Sequence, residues 1–206
     1  MGDCTRPCVY LEKAGRDNTD KVVKIVLERL SEGDIKTVVV ASTTGYTACK
    51  FSDALPGQSG VTEPDSVRLV SVAETPLLRE WGHEYPCLDS ETKEKLERRG
   101  VIVADKVPYL LHSSVLDYSR WKAPSAEEIL RETLYAFGQG LKVAVEVALI
   151  AVASGFIEPF QDVIAVGGTS RGADTAIVVR ATFPNHVFSQ DDAKRLKIRE
   201  ILCKPR

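Results

Sequence analysis

Residues 37–41 form the run Thr-Val-Val-Val-Ala, and this run constrains the fold more strongly than any other segment of the chain. Its side chains are β-branched or small, and no polar residue alternates with the valines. A strand with one face in water would show that alternation, so the run predicts a strand that is covered on both faces. Such strands are typical of parallel sheets flanked by helices.

Strand and helix patterns alternate along the first hundred residues, as they do in sheets built from β-α-β units with right-handed crossovers. The clearest helix follows Asn18 or Thr19, either of which is predicted to cap it. Apolar residues recur at i and i+4 over 22–30, and Gly33 is predicted to end the helix. We predict strands at 8–11, 37–41, 67–73, 101–103, 163–166 and 175–181, a last edge strand at 197–203, and helices from 47 to about 55, at 90–99, from 125 and at 141–154.

Length and composition predict one domain. The chain has 206 residues, 44% of them hydrophobic and 27% charged, without a repeat, a low-complexity tract or a clear linker. A chain of this size buries roughly 70% of the surface of its unfolded form and needs no disulfide or metal ion to fold. We therefore predict a single α/β domain over residues 1–206. The five cysteines are odd in number and form no CxxC pair, so we expect neither a disulfide framework nor a metal site.

Charge and hydropathy exclude several kinds of partner. The 27 basic and 29 acidic residues leave a net charge of −2, so we expect no charge-driven nucleic-acid binding. The apolar stretch 143–157 contains Glu146 and is too short to span a bilayer, so we expect no membrane partner. No signal-peptide pattern is present at the start of the sequence, which favours a cytoplasmic location. A homo-oligomer is an alternative to a monomer that the sequence leaves open.

The turn after the valine run is rich in hydroxyl groups. Its sequence is Ser42-Thr43-Thr44-Gly45-Tyr46-Thr47. Such a turn can bring side-chain hydroxyls, free backbone amides and the positive end of a helix dipole together, which suits a phosphate monoester. Gly45 permits a positive φ angle or a close backbone approach. Plain capping of the next helix by serine or threonine is the alternative interpretation.

A second, glycine-rich loop at 167–175 follows another apolar strand pattern. Arg171 in this loop could pair with a phosphate, or with Asp174 in a hairpin turn that holds no ligand. Open α/β sheets bind ligands at the carboxyl ends of their strands, and two polar loops in such places favour the ligand.

The same loop matches the G-x-S-x-G pattern of the α/β-hydrolase nucleophile elbow, with Ser170 as the serine. That motif must lead into a helix, whereas residues 175–181 are predicted to form a strand. A serine hydrolase is therefore a remote alternative. For Glu146, in an apolar helix, we expect a structural partner such as a loop amide or an arginine.

The two loops together resemble those of the pyruvate kinase carboxy-terminal domain. More specifically, the chain is similar over nearly its whole length to stand-alone proteins of the pyruvate kinase α/β-domain-like family. The matching stretches are 15–19, 39–42, 140–143 with Glu146, and 166–176. The resemblance implies an α/β/α fold of three layers, around a mostly parallel sheet with an antiparallel edge. It does not imply kinase activity, which needs a catalytic barrel.

In the stand-alone relatives the pocket is associated with flavin mononucleotide (FMN), so the resemblance implies a flavoprotein that binds this phosphorylated small molecule. The residues implied to hold it are Arg16, Asn18, Ser42, Thr43, Thr44, Gly45, Thr47, Gly168, Thr169, Ser170, Arg171, Gly172, Asp174 and Thr175. The stretches 73–85 and 104–122, where the flavin ring would find its walls, depart from the relatives. A non-catalytic sensor of a sugar phosphate is the alternative. Whether the protein is an enzyme stays open, since no nucleophile or acid–base pair stands out.

Overall fold

The structure is a computed structural model and describes residues 5–55, 66–111 and 123–206. These residues form a mixed α/β protein with a seven-stranded sheet. The strands are β1 (Val9–Leu11), β2 (Thr37–Ala41), β3 (Arg68–Val72), β4 (Ile102–Ala104), β5 (Asp162–Gly167), β6 (Thr175–Arg180) and β7 (Lys197–Pro205). The helices are α1 (Thr19–Leu30), α2 (Tyr46–Ala54), α3 (Ser90–Arg98), α4 (Ala126–Tyr135) and α5 (Gln139–Ala153).

The strands lie in the order β1-β7-β6-β5-β2-β3-β4. Strand β6 runs antiparallel to both of its neighbours, and every other neighbouring pair is parallel. In β2, Val39 lies opposite Ala165 of β5 on one side and Val70 of β3 on the other. The prediction that residues 37–41 form a parallel strand inside the sheet is confirmed.

Helices cover both faces of the sheet. Along β2, Val39 joins an apolar cluster built with α4 and α5, whereas Val38 and Val40 join a cluster on the opposite face with α1, α2 and α3. Helix α5 is buried along most of its length and packs on β5, β6 and β2. This double coverage explains why β2 carries no polar alternation.

Two expectations about the sheet edges are wrong. Strand β7 is not at an edge, because β1 pairs with its outer side. The antiparallel strand is also not at an edge, since β6 is third in the order and the outermost pairs are parallel. The connection from β5 to β6 is too short for the crossover that a parallel pair requires, so β6 must turn back beside β5.

The start of α1 also differs from the prediction. The Asn18 side chain does not cap the helix but donates from Nδ2 to the carbonyl oxygens of Lys13 and Gly15, at 2.8 and 3.1 Å. A 3₁₀ turn at Arg16–Asn18 precedes the helix, and the Arg16 carbonyl accepts from the Thr19 amide. The side-chain oxygen of a capping residue is therefore not needed there.

Helix α4 begins as predicted, with Ser125 and Glu128 forming a reciprocal capping box. Across the described ranges, no helix has both the length and the apolar composition to cross a bilayer.

Candidate functional site

Six of the strands run in the same direction, so their carboxyl ends meet at one edge of the sheet, here called the carboxyl edge. At this edge the chain leaves β2 towards β3 and leaves β5 towards β6, which lies on the opposite side. Open α/β sheets bind ligands where the connections from adjacent strands diverge in this way. The predicted loops 42–47 and 167–175 follow the diverging strands β2 and β5, and we call the space between these loops the crevice.

Asp174 ties the loop after β1 to the loop after β5. Its side chain is fully buried, and its Oδ2 accepts hydrogen bonds from the amides of Gly15 at 2.8 Å and Thr169 at 3.0 Å. Its Oδ1 accepts from the Thr175 hydroxyl at 2.8 Å. A buried carboxylate needs such donors to offset its lost hydration. Asp174 therefore orders the two loops.

Thr19 makes a second connection between the same loops. Its hydroxyl donates to the Arg16 carbonyl at 2.6 Å and accepts from the Ala173 amide at 3.0 Å. The loops approach so closely that a Cβ atom on Gly172 would lie 2.5 Å from the Thr19 hydroxyl and 2.8 Å from the Arg16 Cα. Gly172 also has a φ angle of 71°, which side-chain-bearing residues rarely adopt. The glycine is needed for both reasons.

The turn between β2 and α2 presents amides without acceptors. Ser42 Oγ accepts from the Ala48 amide at 3.0 Å, but the amides of Thr44, Tyr46 and Thr47 have no acceptor within the described residues. The Thr47 hydroxyl also has no hydrogen-bond partner there, although Thr47 is only 3% exposed. Ser42 acts as a cap, and the remaining amides form the positive end of the helix dipole. We call residues 42–47 the anion turn.

Gly45 in the anion turn has a φ angle of 82°. A Cβ atom at this position would lie 2.5 Å from Thr92 Cγ2 and 2.9 Å from Leu88 Cδ1. The glycine is therefore required by backbone conformation and by packing against the start of α3.

Two arginines lie in the loops after β1 and β5. The Arg16 guanidinium carbon lies 3.9 Å from the centre of the Tyr46 ring, so Arg16 is held over the first residue of α2. Arg171 is exposed and has no hydrogen bond or ion pair with any described residue, Asp174 included. The predicted alternative, in which Arg171 pairs with Asp174, is therefore wrong. Both guanidinium groups keep their donors for another anion.

The first turn of α5 packs directly on the same loops. A Cβ atom on Gly140 would lie 2.2 Å from Thr175 Oγ1 and 2.4 Å from Asp174 Oδ1. One on Gly167 would lie 2.2 Å from the Gly140 carbonyl oxygen and 2.7 Å from the Ala144 nitrogen. Glycine at both positions lets α5 pack closely against the end of β5 and the start of β6. The first turn of the helix therefore contacts the loop between these strands.

A carboxylate lies on the other side of the anion turn. Glu74, just after β3, accepts hydrogen bonds from the Thr43 hydroxyl at 2.5 Å and from the Tyr109 hydroxyl. Burial, and then the hydrogen bond to Glu74, raise the pKa of the Tyr109 phenol, so Tyr109 stays protonated as the donor. Glu74 thus joins the ends of β2, β3 and β4.

Glu146 supports this arrangement from within α5. Its Oε2 accepts from Lys142 Nζ at 2.6 Å, and its Oε1 accepts from the amides of Leu110 and Leu111 at 3.2 and 2.7 Å. Lys142 is 1% exposed and Glu146 4% exposed, so the ion pair is shielded from water. The expectation of a structural partner for Glu146 is confirmed, and the partners hold the segment after β4 in place.

A groove of about 690 Å³ lies between the segments that follow β3 and β4. Its walls are Thr75, Pro76, Leu77, Arg79, Glu80, Tyr85, Lys106, Val107 and Pro108. Glu74 and Tyr109 are the chain neighbours of Thr75 and Pro108 in these walls, and Glu74 also accepts from Thr43 of the anion turn, so Glu74 connects the two regions. The groove is thus built from the stretches that depart from the resembled family, except that residues 112–122 lie outside the described part of the chain.

The structure brings most of the predicted residues to one edge. The loop that carries Arg16 bonds to the loop 167–175 through Asp174 and Thr19, and Arg16 contacts Tyr46 in the anion turn. Asn18 lies in the same loop but bonds to carbonyl oxygens of that loop. Thr169 and Ser170 are exposed, whereas Thr175 is buried against Asp174.

Sequence reasoning missed Gly15, Tyr46 and Glu74 as parts of the site, and it missed the hydrogen bond from Tyr109 to Glu74. Tyr46 stood inside the predicted turn, and a cationic residue in a neighbouring loop could have suggested its ring contact. Glu74 directly follows a predicted strand, which is itself a signal for a binding edge. Tyr109 lies in a stretch without periodicity, where no pattern predicts a partner.

Ser170 lacks the surroundings of a nucleophile elbow. The loop that carries it leads into strand β6 and not into a helix. His186 follows β6 at the opposite end of that strand, and Asp174 is occupied by two amides and a hydroxyl. The remote hydrolase alternative gains no support from this geometry.

Comparison of the sequence with models of protein families gave no match.

Proposed function

We propose that this protein binds a phosphate-bearing small molecule at the carboxyl edge, and that this molecule is FMN. The proposal includes the pyruvate kinase carboxy-terminal type of fold implied by the resemblance. The observation that carries it is the anion turn, whose free amides at the start of α2 lie beside Arg16. Catalysis is not part of the proposal.

The anion turn supplies what a phosphate monoester needs. Amides of Thr44, Tyr46 and Thr47 can donate to phosphate oxygens, and the α2 dipole favours their negative charge. Arg16 and Arg171 add guanidinium donors that no carboxylate among the described residues occupies. Arg16 contacts Tyr46 of the anion turn and has no acidic partner among the described residues, which plain capping of α2 would not require.

The groove favours a ligand that is larger than inorganic phosphate. It lies on the far side of Glu74 from the crevice, so a phosphate in the anion turn and a ring in the groove would be joined by a chain passing Glu74. Tyr85 offers an aromatic side chain in the groove wall, and Pro76 and Val107 offer apolar surface. FMN has this order of parts: phosphate, hydroxyl-bearing chain and planar ring.

The test is titration of the purified protein with FMN and with riboflavin, which lacks the phosphate, followed by flavin absorbance and fluorescence. FMN should bind and riboflavin should bind far more weakly. Arg171→Ala should weaken FMN binding by about 10- to 100-fold, the usual loss for a charged hydrogen bond. Arg68→Ala is the matched control, because Arg68 starts β3 at the opposite edge and carries the same charge.

Absence of FMN binding to the unmodified protein would contradict the flavin part of the proposal. A sugar-phosphate sensor would instead be stabilised by phosphorylated sugars, by about 2.7 kcal/mol at a hundredfold excess over Kd. That shift should also disappear in Arg171→Ala. If neither flavin nor sugar phosphate binds, the anion turn is only a helix cap.

A further inference from the structure

Glu74 accepts a hydrogen bond from Thr43 of the anion turn, and no described cation offsets its charge in an ion pair. It makes no ion pair within the described residues, where its partners are the hydroxyl groups of Thr43 and Tyr109. Glu146 differs in this respect, since Lys142 offsets its charge at 2.6 Å. Because only the Thr43 side chain lies between this carboxylate and the anion turn, its negative charge interacts electrostatically with a ligand bound there.

The hydrogen-bonding capacity of Glu74 is only partly used. A carboxylate has two oxygens and can accept about four hydrogen bonds. Each oxygen of Glu74 accepts one, from Thr43 and from Tyr109, and the residue is partly exposed to solvent. The remaining lone pairs are available to hydroxyl donors of a ligand that passes between the anion turn and the groove.

The same carboxylate disfavours a second anionic group. A phosphate ester next to Glu74 would place like charges together, which raises the free energy of the bound state. The two arginines do not cancel this effect, because they belong to the loops after β1 and β5, on the far side of the anion turn from β3. Across the carboxyl edge, the two arginines therefore belong to loops on one side of the anion turn and the negative charge of Glu74 lies on the other.

We propose that Glu74 determines specificity, by accepting hydrogen bonds from a hydroxyl-bearing chain and by rejecting ligands with a second phosphate on that chain. This inference rests on the proposed function, because it assumes that a phosphate lies in the anion turn. It assigns the ligand to the class of monophosphate esters of polyols. Thr43 and Tyr109 are positioning residues that hold the carboxylate in place.

The experiment compares the binding of FMN and of riboflavin 4′,5′-bisphosphate to the unmodified protein and to Glu74→Gln. Glutamine has the same shape and keeps an acceptor for one hydroxyl, so the fold should be preserved, as far-UV circular dichroism can verify. Removing the charge should lower the preference for FMN over the bisphosphate by about tenfold. Glu158→Gln, an exposed glutamate beyond the end of α5, is the control for net charge and should leave the preference unchanged.

The possible results separate the two proposals. If the unmodified protein binds neither ligand, the proposed function fails. If FMN binds but the ratio of the two affinities is the same in Glu74→Gln, the proposed function stands and the role of Glu74 is overturned. Tyr109→Phe gives a second measurement: it keeps the charge of Glu74, so the bisphosphate should still be rejected, whereas equal affinities for both ligands in this variant would contradict the inference.

Discussion

The Asp174 carboxylate accepts a hydrogen bond from the backbone amide of Gly15, although the two residues are 159 positions apart in the sequence. This bond, with the one from the Thr169 amide, makes the loops after β1 and β5 a single unit. Arg16 follows Gly15 directly and Arg171 precedes Asp174 by three positions. The bond therefore ties together the two loops that carry these arginines.

Asp174→Ala should destabilise the protein by about 3 kcal/mol, because the amides of Gly15 and Thr169 would lose their buried acceptor. Urea denaturation monitored by circular dichroism measures this loss. Asp17→Ala is the control, since Asp17 is exposed in the loop after β1 and its side chain makes no hydrogen bond or ion pair with a described residue. Equal stability of the two variants would show that Asp174 does not hold the loops together.

Gly140→Ala should also destabilise the protein, although alanine favours a helix over glycine by about 1 kcal/mol. The new methyl group would lie 2.2 Å from Thr175 Oγ1 and 2.4 Å from Asp174 Oδ1, which forces α5 away from the ends of the strands. Overpacking of this kind costs about 1 to 3 kcal/mol, and separating the polar groups adds to it.

Gly33→Ala is the comparison for Gly140→Ala in thermal unfolding. A Cβ atom on Gly33 meets nothing within 4 Å, so only its φ angle of 81° opposes the substitution. That conformational cost is about 1 kcal/mol. A Gly140→Ala variant as stable as the unmodified protein would mean that α5 does not press on the loop.

Lys142→Met should cost about 3 to 5 kcal/mol, because the buried Glu146 carboxylate would lose its cation. Glu146→Gln should be costly for the same reason, since it leaves a buried ammonium group. The double variant Lys142→Met/Glu146→Gln should lose less stability than the sum of the two single changes. Denaturant unfolding of all four proteins gives this double-mutant cycle.

An exposed ion pair supplies the reference for that cycle. Lys194 lies 3.5 Å from Asp191, and both side chains are nearly half exposed. Lys194→Met should change stability by less than about 1 kcal/mol. Additive losses in the Lys142–Glu146 cycle would contradict the strong coupling expected of a buried pair.

The part of the fold that could be predicted from the sequence is the part that leaves a local pattern. The valines of β2 and the spaced apolar residues of α1 predict their elements, because burial of both faces of a strand leaves a continuous apolar run and burial of one helix face leaves a repeat of three to four residues. The position of β1 outside β7 could not be predicted. It depends on pairing Val9 with Cys203, and no local pattern encodes a contact over that separation.

The candidate site likewise contains residues that a local sequence pattern predicts and residues that only tertiary contacts position. Gly45 and Gly172 mark turns, and their positive φ angles agree with that expectation. The hydrogen bond from Tyr109 to Glu74 joins two segments without regular secondary structure. Glu146 orders the second of these segments by accepting hydrogen bonds from the amides of Leu110 and Leu111. The position of a side chain that depends on tertiary contacts leaves no pattern in the sequence around that residue.

The ion pairs of Arg29 predict a loss of stability in acid. Arg29 is buried and donates to both oxygens of Asp34, at 2.6 and 2.9 Å. This hydrogen bonding from Arg29 lowers the pKa of Asp34 below its ordinary value of 3.8. The unfolded chain therefore binds a proton at Asp34 more readily than the folded protein does. The contribution is complete above pH 3.8 and is lost as the pH falls through the lower pKa of the folded state.

Asp34→Asn should consequently reduce the decline in unfolding free energy between neutral pH and acid, while lowering stability at neutral pH. The Asp34 side chain is more than half exposed, so solvent screening limits the effect to about 1 kcal/mol or less. Urea denaturation at a series of pH values from 7 to 2.5 measures both changes, with Asp17→Asn as the matched control. If the curves of Asp34→Asn and the unmodified protein stay parallel below pH 4, Arg29 does not stabilise the fold through this carboxylate, because a pair that releases no proton on folding cannot produce a pH-dependent difference.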